Sequence, residues 1–407
     1  MSLSLLGLGT ARPPHTISQE AMARAALPCC TTTARQRRLL PALYRRSGVE
    51  QRHLAVLNSP DGPEPVTGSA ASTTIGDSQD PAIESTADRA YARMLEVYPP
   101  AAASADGPAA SGDRGPTITQ RMLRYPEEAV TLAASACGAA LAEAALPPES
   151  VGQLVVVSCT GFSAPGVDIG LIDRLGLPAD VGRTTVGFMG CHGAMNGLRV
   201  ARSLAEAQTG PDRTVLMCCV ELCSLHFQYG WDPQKVVANA LFGDGAAAVV
   251  GKRLPENADE LFPRVAAHGS VLLPDSRDAM TWLIRDHGFE MTLSPKVPDL
   301  IRQHLLGWLA PWLDRQGLDI RQIGGWAIHP GGPRVIAAVE EALRLPEDAN
   351  SQGRAGDASR QILRTHGNMS SPTVLFILDR LRRSGTPRPW VALAFGPGLT
   401  IEACLIR

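Results

Sequence analysis

Apolar residues in this chain fall into short continuous runs, separated by longer stretches in which apolar residues recur with helical spacing. In the first half, this pattern predicts buried strands at residues 3–9, 153–159, 213–222 and 246–251. Helical spacing predicts helices at residues 17–26, 117–145 and 168–175 and after residue 190. Strands that alternate with helices favour a layered α/β fold.

The second half repeats the pattern beyond a polar stretch around Pro255. Strands are predicted at residues 263–274, 324–329, 390–395 and 399–407, and helices at 298–316, 333–343 and 369–383. Two halves of similar content indicate a duplicated architecture. We therefore expect an N-terminal half at residues 1–255 and a C-terminal half at residues 256–407.

Residues 58–117 differ in composition from the rest of the N-terminal half. They are rich in Pro, Gly, Ser and Ala, which bury little apolar surface. We expect a partly flexible insertion there, with a short helix near residues 83–98.

Composition narrows the functional classes. The 407 residues are 44% hydrophobic and 19% charged, as in an ordinary soluble α/β protein. A net charge of −2 and only 5% aromatic residues argue against nucleic acid as a partner. The nine scattered cysteines suit a reducing compartment, and neither a leader nor a membrane-spanning run is evident. We therefore expect a cytoplasmic protein.

One cysteine has a distinctive setting. Cys191 lies in the turn Gly190-Cys-His-Gly193, between a predicted strand and a predicted helix. The positive end of a helix dipole favours a thiolate at such a position. By itself, however, a cysteine in a turn is more often a small buried residue.

Three motifs further along the chain favour a reactive role for Cys191 over a purely structural one. His329 ends an apolar strand in His-Pro-Gly-Gly-Pro, Asn368 follows His366-Gly, and Phe395-Gly-Pro-Gly398 connects the last two strands. A histidine close to a thiol can support the thiolate, and imidazole and amide groups can both donate hydrogen bonds to a developing oxyanion. Cysteine, histidine and asparagine also occur in this order in papain-like proteases, but the sequence around the papain-type cysteine is missing here.

These motifs resemble those of the type III polyketide synthases, the chalcone and stilbene synthase group of the thiolase-fold superfamily. The most specific matches are Leu-Phe-Gly-Asp-Gly around Phe242, His-Pro-Gly-Gly-Pro, Gly-Asn-Met-Ser-Ser-Pro and Phe-Gly-Pro-Gly. The resemblance implies a thiolase-like αβαβα fold and a homodimer. It also implies an acyltransferase that uses malonyl-CoA and an acyl-CoA or acyl-carrier-protein starter, without a metal or redox cofactor.

The same resemblance implies roles for individual residues. Cys191 would hold the growing chain as a thioester, and His329 and Asn368 would hold the thioester oxygen during decarboxylation of malonyl-CoA. Phe242 would be the aromatic gatekeeper of the active site. The substrate pocket would also be lined by Ser370, Phe395, Gly396 and Pro397.

Several pocket positions depart from the plant enzymes. Met291 stands where the family has a second gatekeeper phenylalanine, Trp282 replaces a glycine, and the other changes are at Cys159, Ala164, Cys223 and His226. Small or soft residues at Cys223, Ala164 and Met291 favour an alkyl starter, as in the bacterial alkylresorcinol and alkylpyrone synthases that these segments resemble. We hypothesise that Trp282 folds the chain towards an aldol-closed resorcinol.

Two regions allow more than one interpretation. Arg46, Arg45 and Arg38 belong to a basic stretch that could contact CoA phosphates or could be a solvated helix face. Cys218, Cys219, Cys223 and His226 superficially suggest a zinc site, but adjacent strand residues point to opposite faces, so core and pocket lining is favoured.

Two other functions remain open at this stage. A ketoacyl-ACP synthase III uses the same three catalytic residue types for a single condensation, although its motifs around histidine and asparagine differ. A non-catalytic binding protein with a thiolase fold would not need the complete triad.

Overall fold

The computed structural model of the chain describes residues 2–58, 86–99, 114–207, 213–255, 262–345 and 354–407. The strands of the N-terminal half are β1 (Leu3–Ala11), β2 (Thr16–Ser18), β3 (Gln51–His53), β4 (Val151–Ser158), β5 (Gly182–Gly187), β6 (Thr214–Leu222) and β7 (Asp244–Lys252). Its helices are α1 (Gln19–Cys30), α2 (Ala34–Arg45), α3 (Thr86–Val97), α4 (Ile118–Met122), α5 (Tyr125–Glu143), α6 (Val167–Leu175), α7 (Gly193–Ala207) and α8 (Pro233–Leu241).

The C-terminal half has fewer elements. Its strands are β8 (Arg264–Leu272), β9 (Met280–Arg285), β10 (Gly288–Leu293), β11 (Gly325–Ile328), β12 (Trp390–Gly396) and β13 (Thr400–Ile406). Its helices are α9 (Val297–Asp314), α10 (Pro333–Leu343), α11 (Asp357–His366) and α12 (Thr373–Arg383).

Strand order shows the duplication directly. The large sheet runs β11-β12-β13-β8-β1-β7-β6-β4-β5, and a short antiparallel pairing of β1 with β8 joins its two parts. In one part β4 pairs parallel with β6, which is followed by antiparallel β7 and β1. In the other part β11 pairs parallel with β12, which is followed by antiparallel β13 and β8. Apart from β5, which pairs with the outer side of β4 and has no counterpart among the described strands of the other part, the two halves therefore share one strand order and one set of directions.

The two parts of the sheet have helices between them and on both outer sides. Leu198 of α7 and Leu375 of α12 belong to one buried cluster with residues from both parts of the sheet. The opposite face of the N-terminal part packs on α5, and that of the C-terminal part packs on α9 and α10. This is the αβαβα layering that the family resemblance implies, and it confirms the predicted fold class.

Some predicted elements need correction. The single helix expected at residues 117–145 is two helices, α4 and α5, because Pro126 is confined to the first turn of a helix and starts α5. The helix expected from residue 369 begins only at Thr373, since Ser370 adopts a left-handed backbone (φ 57°). Helices α8 and α11 had no counterpart in the prediction.

The expected insertion at residues 58–117 is described only in part. Helix α3 lies where a short helix was predicted, whereas residues 59–85 and 100–113 lie outside the described residues. The boundary predicted at residues 255 and 256 adjoins a further undescribed stretch and stays a prediction. Across the described ranges, no helix has the length and apolar character needed to span a membrane.

Candidate active site

Cys191 lies at the centre of a buried pocket between the two halves. It belongs to a short 3-10 helix (Gly190–His192) that joins β5 to α7, and its side chain is buried. Gly190 has φ +68°, and a Cβ there would lie 2.6 Å from Pro397 Cδ. A side chain at position 190 would therefore push the loop after β12 away from the cysteine.

Asn368 approaches the same sulfur from the C-terminal half. It lies between α11 and α12, and its Nδ2 donates to Cys191 Sγ over 4.0 Å. Its Oδ1 accepts from the Ser370 backbone N–H at 2.8 Å, which fixes the amide orientation. The amide N–H groups of Asn368 therefore face the sulfur, where an oxyanion would need donors.

His329 completes the group. It follows β11 directly, and its backbone N–H donates to Leu393 O at 2.8 Å. Its side chain is 1% exposed, and neither ring nitrogen has a hydrogen-bond partner among the described residues. Buried polar atoms normally have partners, so this imidazole is available to a bound substrate. His329, Asn368 and Cys191 line one cavity, here called the reaction pocket.

Burial favours the neutral forms of Cys191 and His329. Desolvation raises the pKa of Cys191 to about 11, although hydrogen bonds from Ser370 and Asn368 act in the opposite direction. Desolvation, with a smaller effect of His192, lowers the pKa of His329 to about 3. The helix-dipole argument for a resting thiolate is therefore outweighed, and Cys191 and His329 are a neutral thiol and a neutral imidazole.

Phe242 and Met291 lie where three cavities meet. Besides the reaction pocket, both line a side pocket that contains Cys159, Trp282, Ser370 and Pro397. Both also line an inner pocket that extends away from Cys191 to Met22, Leu54 and Met94. Side chains at this junction control which cavity a molecule bound at Cys191 can enter.

The hairpin β9–β10 supplies two of the pocket residues that depart from the plant enzymes. Trp282 and Met291 are directly opposite each other in this hairpin. The Trp282 indole N–H donates to Cys159 O at 2.8 Å, and the ring meets those of His226 and Phe289 edge-on. Cys223 lies between the side and inner pockets. Cys159, Cys223, His226, Trp282 and Met291 are therefore brought together around the cavities.

Two predicted pocket residues do not line these cavities. Ala164, which aligns with a plant-enzyme methionine that reaches across the dimer, is exposed in this single chain, and its role in the pocket stays a prediction. Gly396 is buried against the His192 ring, where a Cβ would lie 2.0 Å from Cδ2. Phe395 lines the reaction pocket, as expected for a pocket residue.

A buried carboxyl group close to Cys191 was missed by the sequence reasoning. Glu221, on β6, accepts hydrogen bonds from the Cys159 backbone N–H (3.0 Å), from Thr160 Oγ1 (2.8 Å) and from Ser371 Oγ. Burial raises its pKa, while these hydrogen bonds act in the opposite direction. A lone glutamate within the apolar run Val-Leu-Met-Cys-Cys-Val-Glu-Leu was the available signal.

The arginines expected to contact CoA lie on one helix. Arg38 and Arg45 are exposed on α2, and Arg46 is its exposed C-cap. At 100° per residue they share a face with Arg35 and the exposed Leu39. The loop after α2 lies beside the wall of the reaction pocket, because Val49 belongs to one small buried cluster with Leu241, which lines that pocket.

Within the described residues, the remaining cysteines form no metal site of the kind considered from the sequence. Cys218 belongs to the outer core of the N-terminal half, and Cys219 to the core between the two parts of the sheet. They therefore face opposite sides of β6.

Comparison with known families shows which proteins this chain is similar to. Residues 103–253 match the N-terminal domain of the chalcone and stilbene synthases, and residues 265–407 match the C-terminal domain of the same family. Together these matches span more than half of the chain.

Individual relatives and a solved structure show the same similarity. The 1,3,6,8-tetrahydroxynaphthalene synthase of Streptomyces peucetius is 33% identical over 99% of this chain and 93% of its own length. An alpha-pyrone synthesis polyketide synthase-like protein, Pks18 of Mycobacterium tuberculosis, is 34% identical over 71% of this chain and 73% of its own. The crystal structure of PKS-I from the brown alga Ectocarpus siliculosus superposes with a TM-score of 0.80 at 26% identity, covering 100% of this chain and 99% of that one. The chain belongs to the chalcone and stilbene synthase family and is a type III polyketide synthase, an acyltransferase.

Proposed function

We propose that this enzyme extends a fatty acyl starter on Cys191 with malonyl-CoA units and then closes the chain to an alkylresorcinol or alkylpyrone. The observation that carries the proposal is the inner pocket. It shares Phe242 and Met291 with the reaction pocket, and its lining is mostly apolar, including Met22 and Met94, with Gln228, Lys235 and Asn239 among its polar residues. An alkyl chain gains about 0.8 kcal/mol for each methylene buried there.

Loading begins when an acyl thioester enters the reaction pocket. Cys191 Sγ attacks the thioester carbonyl carbon, the thiol proton passes to the neutral His329 imidazole, and the CoA or carrier thiolate leaves. The proton on His329 can then neutralise that thiolate.

Extension uses a second substrate. His329 and Asn368 hold the thioester oxygen of malonyl-CoA, and the carboxylate lies against the apolar ring of Phe242. A carboxylate in such a setting is destabilised relative to neutral carbon dioxide. Loss of carbon dioxide leaves an enolate that attacks the Cys191 thioester and releases the thiolate. No metal or redox cofactor takes part in these steps.

The starter assignment is tested by filling the inner pocket. In Met22→Trp the indole would occupy space between Met22 and Met94, so we expect use of long acyl-CoA starters to fall at least tenfold relative to a hexanoyl starter. Malonyl-CoA decarboxylation should be retained, because Met22 does not line the reaction pocket.

Met122→Trp is the matched control, because Met122 packs on the same core without lining the inner pocket. It should leave the chain-length profile unchanged. Equal loss of long and short starters in Met22→Trp would contradict the proposal.

Substitutions of Trp282 test how the extended acyl chain closes into a ring. We expect Trp282→Gly to raise the pyrone-to-resorcinol ratio, because the enlarged side pocket no longer bends the chain. Trp282→Phe keeps an aromatic ring but loses the hydrogen bond to Cys159 O, so it separates shape from hydrogen bonding. An unchanged product ratio in both variants would exclude this role.

Incubation with malonyl-CoA and acyl-CoAs of increasing length, followed by mass spectrometry, tests the overall activity. Several extensions with ring closure support the polyketide assignment. One extension would favour the ketoacyl synthase alternative, and no extension would favour a binding protein.

The exposed face of α2 is proposed to receive the carrier of the acyl group. Residues 21–49 contain no acidic side chain, so Arg38, Arg45 and Arg46 present an uncompensated positive surface near the reaction pocket. CoA phosphates and an acidic acyl carrier protein both fit this surface. Comparing kcat/KM for acyl-CoA and acyl-carrier-protein starters in Arg45→Glu and Arg46→Glu identifies which one is used.

A homodimer is also proposed. Strand β5 is an edge of the described sheet, and beside it Phe162 is 50% exposed and Met189 is 37% exposed. An apolar patch beside a free strand edge is typical of an interface. Light scattering of Phe162→Asp should show a monomer if this edge forms the dimer, whereas an unchanged mass would argue against it.

A further inference from the structure

One buried arginine contacts the backbone that carries Phe242. The Arg52 side chain, on β3, is fully buried. Its Nη1 donates to Asn239 O and Phe242 O, both at 2.8 Å, and its Nη2 donates to Ala240 O at 2.7 Å and to Gln19 Oε1. All four acceptors are neutral.

Burial of this cation is costly. Desolvation lowers the pKa of Arg52 to about 10, while interactions with the ionisable groups of Tyr44 and Asp244 act in the opposite direction. The guanidinium therefore remains protonated at neutral pH. A buried cation without a hydrogen-bonded carboxylate is normally destabilising, so the carbonyl contacts must offset that cost.

The contacts are concentrated at the end of α8. Asn239 and Ala240 belong to its last turn, and Phe242 is its C-cap. Carbonyl groups at a helix C-terminus lack helical partners and carry the negative end of the dipole. A planar guanidinium can contact several of them at once, so it fixes the course of the chain into Phe242.

The same segment is attached to Asn368. The Asn368 backbone N–H donates to Leu241 O at 2.8 Å, and the Gly243 N–H donates to Asn368 O at 3.0 Å. A Cβ on Gly243 would lie 2.4 Å from His366 O and 3.3 Å from Arg52 Cβ. The two backbones and the arginine are therefore in close contact, and a shift of Phe242 would move Asn368 with it.

Gln19 extends this set of contacts to the arginine-bearing helix. Its Nε2 donates to Ala240 O at 2.9 Å and to Tyr44 O at 3.0 Å, while its Oε1 accepts from Arg52. Tyr44 lies in the last turn of α2, next to Arg45 and Arg46. One buried network therefore connects the end of α2, the Phe242 segment and the Asn368 loop.

We propose that Arg52 is a positioning residue of the condensation reaction: it holds the Phe242 gate and the Asn368 oxyanion donor in one fixed relation to Cys191. It touches neither Cys191 nor the cavities and acts through the backbone. The inference rests on the proposed roles of Phe242 and Asn368.

The test compares Arg52→Met with Arg52→Lys. Arg52→Met would leave three carbonyls without their donor, so the gate and the Asn368 amide should lose their alignment. We expect kcat for malonyl-CoA decarboxylation to fall about 10- to 100-fold with little change in KM, and early-released short products to increase. Arg52→Lys should recover part of both effects, because an ammonium keeps the charge but cannot span all the acceptors.

Arg121→Met is the matched control. Arg121 is also buried and also donates to three backbone carbonyls, those of Pro116, Leu225 and Phe227, away from the Asn368 loop. It should lower the unfolding midpoint to a similar extent while keeping the decarboxylation kcat. Three results would overturn the inference: equal kinetic losses in both methionine variants, losses confined to KM, or an unchanged product distribution in Arg52→Met. An inactive wild-type enzyme would instead refute the proposed function.

Discussion

The two halves of the molecule use equivalent positions for different chemistry. Cys191 precedes α7, and Asn368 lies just before α12; these two helices form the central layer, one from each half. Cys159 follows β4 directly, and His329 follows the corresponding strand, β11. The N-terminal half therefore supplies sulfur at both positions, and the C-terminal half supplies nitrogen donors.

This difference shows how two halves with the same strand order can form a site in which each half supplies different chemical groups. Equal strand orders bring equivalent loop ends to the same place between the sheets, where the Cys191 and Asn368 side chains meet at 4.0 Å. Because a single residue at each loop end decides the chemistry, one half can hold the acyl chain while the other stabilises negative charge.

The largest effects are expected from substitutions that remove the reactive side chain of one half, because each should abolish or slow a different reaction step. Asn368→Ala removes an oxyanion donor and should lower malonyl-CoA decarboxylation about 10²- to 10³-fold, while an acyl group can still be loaded on Cys191. Cys191→Ala should show the converse: no acyl-enzyme by intact-protein mass spectrometry, but continued carbon dioxide release. If each variant lost both acyl loading and carbon dioxide release, the proposed assignment of these two steps to different halves would be wrong.

A smaller effect concerns the protonation of Cys191. Because burial disfavours the thiolate and raises its pKa to about 11, the thiolate fraction should increase about tenfold per pH unit below that value. The rate of iodoacetamide alkylation should therefore rise roughly 100-fold from pH 7 to pH 9. Peptide mass spectrometry is needed to assign the modification, since the chain has nine cysteines.

His329→Ala provides the control for that experiment. Because His329 is neutral at pH 7 to 9, its removal should leave the pH profile of alkylation unchanged. A rate that is already constant above pH 7 in the wild type, and that falls in the variant, would instead show a resting thiolate paired with His329.

The smallest effect is expected at the N-terminal counterpart of His329. Cys159 Sγ donates to Glu221 Oε1 at 3.0 Å and lies 3.7 Å from Ser370 Oγ, so Cys159→Ala removes two weak hydrogen bonds. Condensation should slow less than about fivefold. A loss as large as that of His329→Ala would show that the two strand-end positions share the chemistry after all.

Local sequence determined the elements and the residues that carry the chemistry. Strands such as β4 and β6 were recognisable because they are continuously buried, and α10 was predicted with its observed bounds, from Pro333 to Leu343. Cys191, His329 and Asn368 were identifiable because each lies in a short motif of glycine or proline beside the reactive residue type. Helix α8 was not predicted, although Asp232 caps it and Pro233 starts it.

Only the tertiary structure decided which groups meet and how burial alters them. Sequence spacing gives no distance between residues 191, 329 and 368, because that distance depends on how the two parts of the sheet pack. The dipole argument predicted a thiolate, but full desolvation of Cys191 reverses that preference. The sequence shows Glu221 only as a lone charge in an apolar run and does not single out Arg52, because the contacts of each become known only once its buried partners are known.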